Sequence, residues 1–179
     1  MANLIAVRNT QEMPRRFVDT PIGHLLEYQN LNAPFRVCDR AELLVAMCMD
    51  NRKQLRIPEN FAFIIRTGGA NIRHSEFKIS FAVGVGGVQW MALIAHNNCG
   101  MVNLAGRQEE FISGLVTNAG WDRPRAEEHF FQFAPMFEIG NEITFVVDES
   151  KRLNARYPKL EVVPLFYKLE DNLLYVIQE

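Results

Sequence analysis

The chain reads as an α/β protein: a mostly parallel central sheet with flanking helices and a C-terminal antiparallel strand or hairpin. Three observations predict this. Continuous apolar runs recur at Leu43–Met47, Phe61–Ile65 and Gln89–Ala95, and unbroken runs of this length suit strands buried on both faces of a parallel sheet. Between the second and third runs, Phe77, Phe81, Ala82 and Val85 stand at helical spacing, giving a strand, crossover helix, strand unit. Near the end, Leu160–Tyr167 and Leu173–Gln178 flank Glu170-Asp171-Asn172, which is a hairpin pattern.

Taken in order, residues 1–179 read as a single domain, with residues 1–40 an N-terminal arm. Within the arm, Met13–Asn32 is polar and mixed, with a short helix expected around His24–Gln29, packed on a partner subunit. The helix over Arg73–Val85 is stopped by Gly86-Gly87, residues that free the backbone for the next strand. Further helices are predicted at Arg107–Asn118, Arg123–Phe133 and Glu142–Ala155.

Composition narrows the function. Hydrophobic residues make up 48% and charged residues 22%, ordinary for a globular domain. The formal net charge of -2 carries no signature of nucleic-acid binding, and no polybasic run points to a membrane surface. No apolar stretch approaches the length that spans a bilayer. The start has only the short apolar run Leu4–Val7 and no small-residue cleavage pattern, so no signal peptide is expected. Three cysteines at irregular spacing argue against a disulfide framework and for a reducing, cytoplasmic setting.

The chemistry is concentrated in Cys48-Met49-Asp50-Asn51-Arg52 and His96-Asn97-Asn98-Cys99-Gly100. Two thiolates and one imidazole suit zinc, and three protein ligands leave a fourth position open, as in catalytic zinc sites. Cys48 and His96 both fall at the carboxyl ends of predicted parallel strands, where open α/β sheets bind ligands. Asp50 held by Arg52 stays an ionised acceptor at neutral pH. Beside zinc it can orient a metal-activated water, or swing in as a fourth ligand; as a plain surface ion pair it would be worth ~1 kcal/mol or less.

Other candidates carry less. Cys38 is either a further ligand or a small buried residue near a strand. Gly68-Gly69 either lets the backbone approach a ligand closely or makes a turn. His24, His74 and His129 lack ligand spacing, and Phe130, Phe131, Phe133 and Phe137 read as core or dimer interface. Gly84-Val85-Gly86-Gly87 has the wrong spacing for a dinucleotide fingerprint. No serine sits in an elbow motif.

With these residues in view, the sequence resembles the β-class carbonic anhydrases. That family's paired signatures, Cys-x-Asp-x-Arg and His-x-x-Cys-Gly, stand here as Cys48/Asp50/Arg52 and His96/Cys99/Gly100. The resemblance runs from about Ala41 to the terminal hairpin. It implies Zn2+ on Cys48, His96 and Cys99, with water or Asp50 in fourth place, and a homodimer or higher homo-oligomer. The implied reaction is reversible hydration of carbon dioxide to bicarbonate by a zinc-bound hydroxide, with Asp50 orienting it and Arg52 fixing Asp50. The chain departs from the family at Asn51, where Ala or Ser is usual, and at Asn97, where Thr or Ser is usual. It departs again in Arg66-Thr67-Gly68-Gly69-Ala70, where Arg-Asn-Ala-Gly-Gly or Arg-Asn-Ala-Gly-Asn is usual. These positions are expected to alter the pocket wall rather than the metal site. They keep open a related heterocumulene substrate (carbonyl sulfide or carbon disulfide) and a non-catalytic zinc-binding homologue.

Overall fold

A computed structural model describes residues 3–178. Its centre is a six-stranded mixed sheet with strand order β1-β6-β5-β4-β2-β3. The strands are β1 (Asn3–Ala6), β2 (Leu43–Cys48), β3 (Ala62–Thr67), β4 (Trp90–His96), β5 (Glu161–Tyr167) and β6 (Leu174–Gln178). β3, β2, β4 and β5 run parallel, and β6 and β1 close the far edge as antiparallel strands. The helices are α1 (Pro21–Asn30), α2 (Glu76–Gly84), α3 (Gln108–Ala119), α4 (Arg123–Phe137) and α5 (Glu142–Arg156).

The apolar runs become the middle of the sheet because both faces of β2 and β4 are covered. Along β2, side chains alternate between two cores. Leu43, Val45 and Met47 face Ile22, Leu25 and Leu26 of α1. Leu44 and Ala46 face Ile79 and Ala82 of α2 and Val146, Val147 and Leu153 of α5. The arm's helix therefore packs on its own chain's sheet. It begins where the sequence allows: Thr20 accepts from the Gly23 amide and Pro21 occupies the first turn, a position that needs no amide donor.

Three details differ from the sequence reading. The short run at Leu4 is an edge strand, paired residue for residue with β6; so brief an element takes its conformation from its partner rather than from its own pattern. α4 continues through Pro135 to Phe137, beyond the expected end at Phe133. On α2, Ile79 and Ala82 are buried while Phe77 is 81% exposed and Phe81 and Val85 are also exposed. The spacing located the helix but not its inward face. α3 and α4 form a hairpin with a small core of their own, Ile112, Ala126 and Phe130, and Asp122 caps α4 by accepting from the Arg125 amide.

The connections place the site. From β2 the chain goes to β3 on one side, whereas from β4 it travels through α3, α4 and α5 to β5 on the other. β2 and β4 are adjacent and parallel, so the segments leaving their carboxyl ends diverge. This reversal opens the crevice in which α/β sheets hold ligands. Cys48 and His96 are the last residues of those two strands.

Candidate metal centre

Cys48, His96 and Cys99 come together in this crevice, all three buried, with their ligand atoms within 4.8 Å of one another. The two sulfurs stand 3.9 Å apart. Sulfurs each about 2.3 Å from a tetrahedral zinc ion would stand about 3.8 Å apart, so the spacing already fits. The imidazole is oriented for coordination: Nδ1 lies 2.9 Å from the Asn97 carbonyl, which makes Nδ1 the donor and leaves Nε2 with its lone pair. Nε2 is buried and without a hydrogen-bond partner among the described residues. A buried acceptor without a donor is costly, and a metal ion resolves that cost. The donor set and its geometry therefore fit a metal of the zinc type.

Backbone amides support the sulfurs. Gly69 N–H approaches Cys48 Sγ at 3.4 Å, and the Asp50 and Met101 amides donate to Cys48 and Cys99 respectively. Gly69 adopts φ 61°, and a Cβ there would meet Ile139 at 2.9 Å and Met101 at 3.1 Å. The glycine thus serves the close approach that the sequence left open beside a simple turn. The hydrogen bond from Cys99 foremost holds the Cys48 thiol far below its usual range, and the same bond pushes Cys99 up. Cys38 is elsewhere, buried in the core under α1.

Asp50 lies at the lip of the site, its side chain 14% exposed, with Oδ2 3.9 Å from His96 Nε2. Arg52 binds it as a fork: Nε and Nη2 donate to the carboxylate, Nη2 at 2.6 Å, and the Arg52 amide donates to Oδ1 at 2.9 Å. These hydrogen bonds hold the Asp50 carboxyl well below the usual carboxylate range. The same Nη2 also donates to the Asn98 carbonyl at 2.9 Å, so one guanidinium joins the two loops. Asp50 is not one of the clustered ligands, and its oxygens are engaged by Arg52.

The positions expected to alter the pocket wall have other partners. Asn97 accepts from the Leu169 amide at 2.9 Å and donates to Glu170, clamping the end of β4 to the β5–β6 turn. Thr67 donates to the Asn71 carbonyl at 3.0 Å. Asn51 is exposed. The wall itself is apolar. Ile139, Met101, Val102 and Phe145 pack around the cysteines, and beside them a cavity of about 260 Å3 is lined by Met49, Gly68, Met101, Phe133 and Phe137 among others. His129 also lines it, half-buried among aromatic rings, and His74 packs its ring 6.1 Å from that of Phe137; neither these nor His24 joins the ligand group.

No protein-family model matches the chain, and no curated protein sequence matches it. Solved structures do. β-Carbonic anhydrase isoform I from Trichomonas vaginalis aligns over 93% of this chain and 99% of its own, at 15% identity and a TM-score of 0.61. A carbonic anhydrase from Glaciozyma antarctica aligns over 92% and 99%, at 17% identity and a TM-score of 0.60. A carbon disulfide hydrolase in its apo form aligns over 90% of each chain, at 16% identity and a TM-score of 0.54. The central sheet, its flanking helices and its terminal hairpin thus form the fold of the β-class carbonic anhydrases.

Proposed function

We propose that this chain is a zinc-dependent carbonic anhydrase, catalysing reversible hydration of carbon dioxide to bicarbonate. The observation that carries the reading is the orphaned, buried His96 Nε2 facing two cysteine sulfurs, with an ionised carboxylate 3.9 Å away. Cys48, His96 and Cys99 would hold the metal. A bound zinc ion would supply Lewis-acid activation of water at neutral pH, lowering that water's pKa to about 7. Asp50, kept ionised by Arg52, can only accept hydrogen bonds; it would orient the attacking water by taking one of its protons in a hydrogen bond. Arg52 acts through Asp50 and is a positioning residue. The apolar cavity beside the centre would admit carbon dioxide, which has no net dipole, and keep competing water out.

Stopped-flow hydration of carbon dioxide by zinc-loaded protein tests this reading. Turnover well above that of the Cys48→Ser variant is expected, and a rate equal to it would sink the proposal. The cavity also suits carbonyl sulfide or carbon disulfide, which are linear, weakly polar and larger. Sulfide release exceeding bicarbonate formation would move the assignment to that chemistry. Metal bound without turnover of either class would indicate a zinc-binding homologue without activity.

Homo-oligomerisation belongs to the same proposal. It is supported by the exposed apolar side chains Phe77 and Phe81 on α2, Val85 just after it, and Ile64 on the edge strand β3, and light scattering of the purified protein measures it. The three free thiols favour a reducing compartment such as the cytoplasm. No helix among the described residues is long and apolar enough to cross a membrane.

A further inference from the structure

The cavity beside the metal centre is larger than carbon dioxide needs. Its volume is about 260 Å3, room for roughly eight waters at about 30 Å3 each, whereas carbon dioxide is a linear molecule of three atoms. Water gains little there, because His129 is the one lining residue with a polar side chain. An apolar cavity of about 150 Å3 already takes up a benzene molecule. This wall suits such a guest. Phe111, Phe133 and Phe137 can meet a bound ring edge-on or offset, and Met49 and Met101 bring sulfurs, which pack well at ring edges.

Three lining residues tie this cavity to the ligands. Met49 follows Cys48 in the chain, and Gly68 precedes Gly69, whose amide approaches Cys48 Sγ. Met101 packs on the cluster that contains both sulfurs. Gly68 also bears on the size of the space. A Cβ at this position would meet Met101 Sδ at 2.9 Å, Met101 Cγ at 3.3 Å and Phe137 Cδ1 at 3.5 Å. Unlike Gly69, Gly68 has no positive φ, so nothing in its backbone calls for glycine. The bare position matters for packing: the Met101 thioether rests against it, and any added side chain is felt at the cavity wall.

We propose that this cavity binds a single aromatic ring, and that the ring belongs to an isothiocyanate hydrolysed at the neighbouring centre, with Gly68 as the specificity-determining residue. The inference rests on the reading above and deepens it. A heterocumulene that carries a substituent needs room for it beside the electrophilic carbon, and the cavity supplies that room. An isocyanate of the same shape hydrolyses in water unaided, so the isothiocyanate is the member of this class that needs a catalyst. The oxygen of water bonds to the central carbon, the carbon–nitrogen π bond opens, and nitrogen takes one water proton. The resulting thiocarbamic acid breaks its carbon–nitrogen bond as its acid proton passes to nitrogen, giving the amine and carbonyl sulfide.

Two measurements test it. The first follows fluorobenzene by fluorine NMR with metal-free protein, a probe with no group that a metal would hold. Saturable binding to the wild type is expected, weakened about tenfold in Gly68→Ala, which crowds the wall. Phe133→Trp carries the same expectation should Gly68→Ala fold poorly by circular dichroism. The second measures benzylamine released from benzyl isothiocyanate by zinc-loaded protein, with methyl isothiocyanate as the substrate lacking a ring. The wild type is expected to favour the benzyl compound in kcat/KM by about 10- to 100-fold, and Gly68→Ala to lose most of that preference. Absence of fluorobenzene binding, or affinity unchanged in both variants, overturns this inference alone. So does a wild type that hydrates carbon dioxide without favouring the benzyl compound. Wild-type protein that takes up no metal and hydrates no carbon dioxide overturns it together with the reading beneath it.

Discussion

Between Cys48 and Lys53 the chain carries one sulfur ligand and three charged side chains; between His96 and Gly100 it carries two ligands and no charge. The first stretch is fixed by its neighbouring strand: the Met49 amide donates to the Thr67 carbonyl at 3.0 Å and Arg66 donates to the Cys48, Asp50 and Lys53 carbonyls, while Asp50 and Arg52 answer to one another. The second is tied down from outside: Asn97 clamps it to the β5–β6 turn, and the Cys99 amide donates to Glu142 at 3.3 Å. Both loops are thus held in place, the first through β3 and the second through the β5–β6 turn and α5, but only the first brings charge to the centre. The sheet topology makes this division workable, because the two strands are hydrogen-bonded neighbours whose continuations part.

The sharpest way to break the comparison is to remove a ligand from either side. Cys48→Ser and His96→Ala should both lose zinc, measured by metal content after dialysis, and with it all carbon dioxide hydration above background. If ligation were confined to the uncharged loop, Cys48→Ser would keep its metal. Next in size is Arg52→Ala. It frees Asp50 without touching a ligand, so kcat/KM should fall about 10- to 100-fold, as for other groups that orient a metal site from behind its ligands, while zinc content stays at one per chain.

Changes to the supports should act on stability. Asn97→Ala removes two hydrogen bonds of the uncharged loop and should lower unfolding free energy by about 1–2 kcal/mol in denaturant titration. Gly69→Ala forces a side chain into a left-handed conformation against Ile139 and Met101 and should cost about 1–3 kcal/mol. An Asn97→Ala change that lowered activity as far as Arg52→Ala, with no loss of stability, would contradict the division between the loops.

The smallest effect concerns pH. Because Arg52 lowers the Asp50 pKa in the folded protein, the stabilisation from this carboxylate is present above its unfolded value and fades as pH falls through the folded one. Metal-free wild type should therefore melt above Asp50→Asn at neutral pH, with the difference shrinking once the pH drops below about 4. A constant gap would mean that Asp50 stabilises by something other than its charge.

The strands that matter were legible because burial on both faces writes itself into a chain as unbroken apolar runs. β2 and β4 end at or within a residue of where those runs end, and the ligands follow immediately. β1 was not legible, since a four-residue edge strand has no period to detect and is defined by β6. The roles of Thr67 and Asn97 were misjudged for a related reason: a polar residue next to a ligand in sequence can turn its side chain to another element, here Asn71 and the 169–170 turn. Lys53, only 1% exposed, gave no signal at all. A lysine after a charged motif reads as solvated, and only the three-dimensional packing reveals that water does not reach it.

The Arg52 guanidinium, half exposed and bonded to both Asp50 and the Asn98 carbonyl, has a mechanical consequence. Asp50 cannot move toward the three ligands as an independent gate, because its departure takes away one half of a tie that also anchors the facing loop. Bringing Asp50 into the fourth position would therefore first require breaking its hydrogen bonds to Arg52.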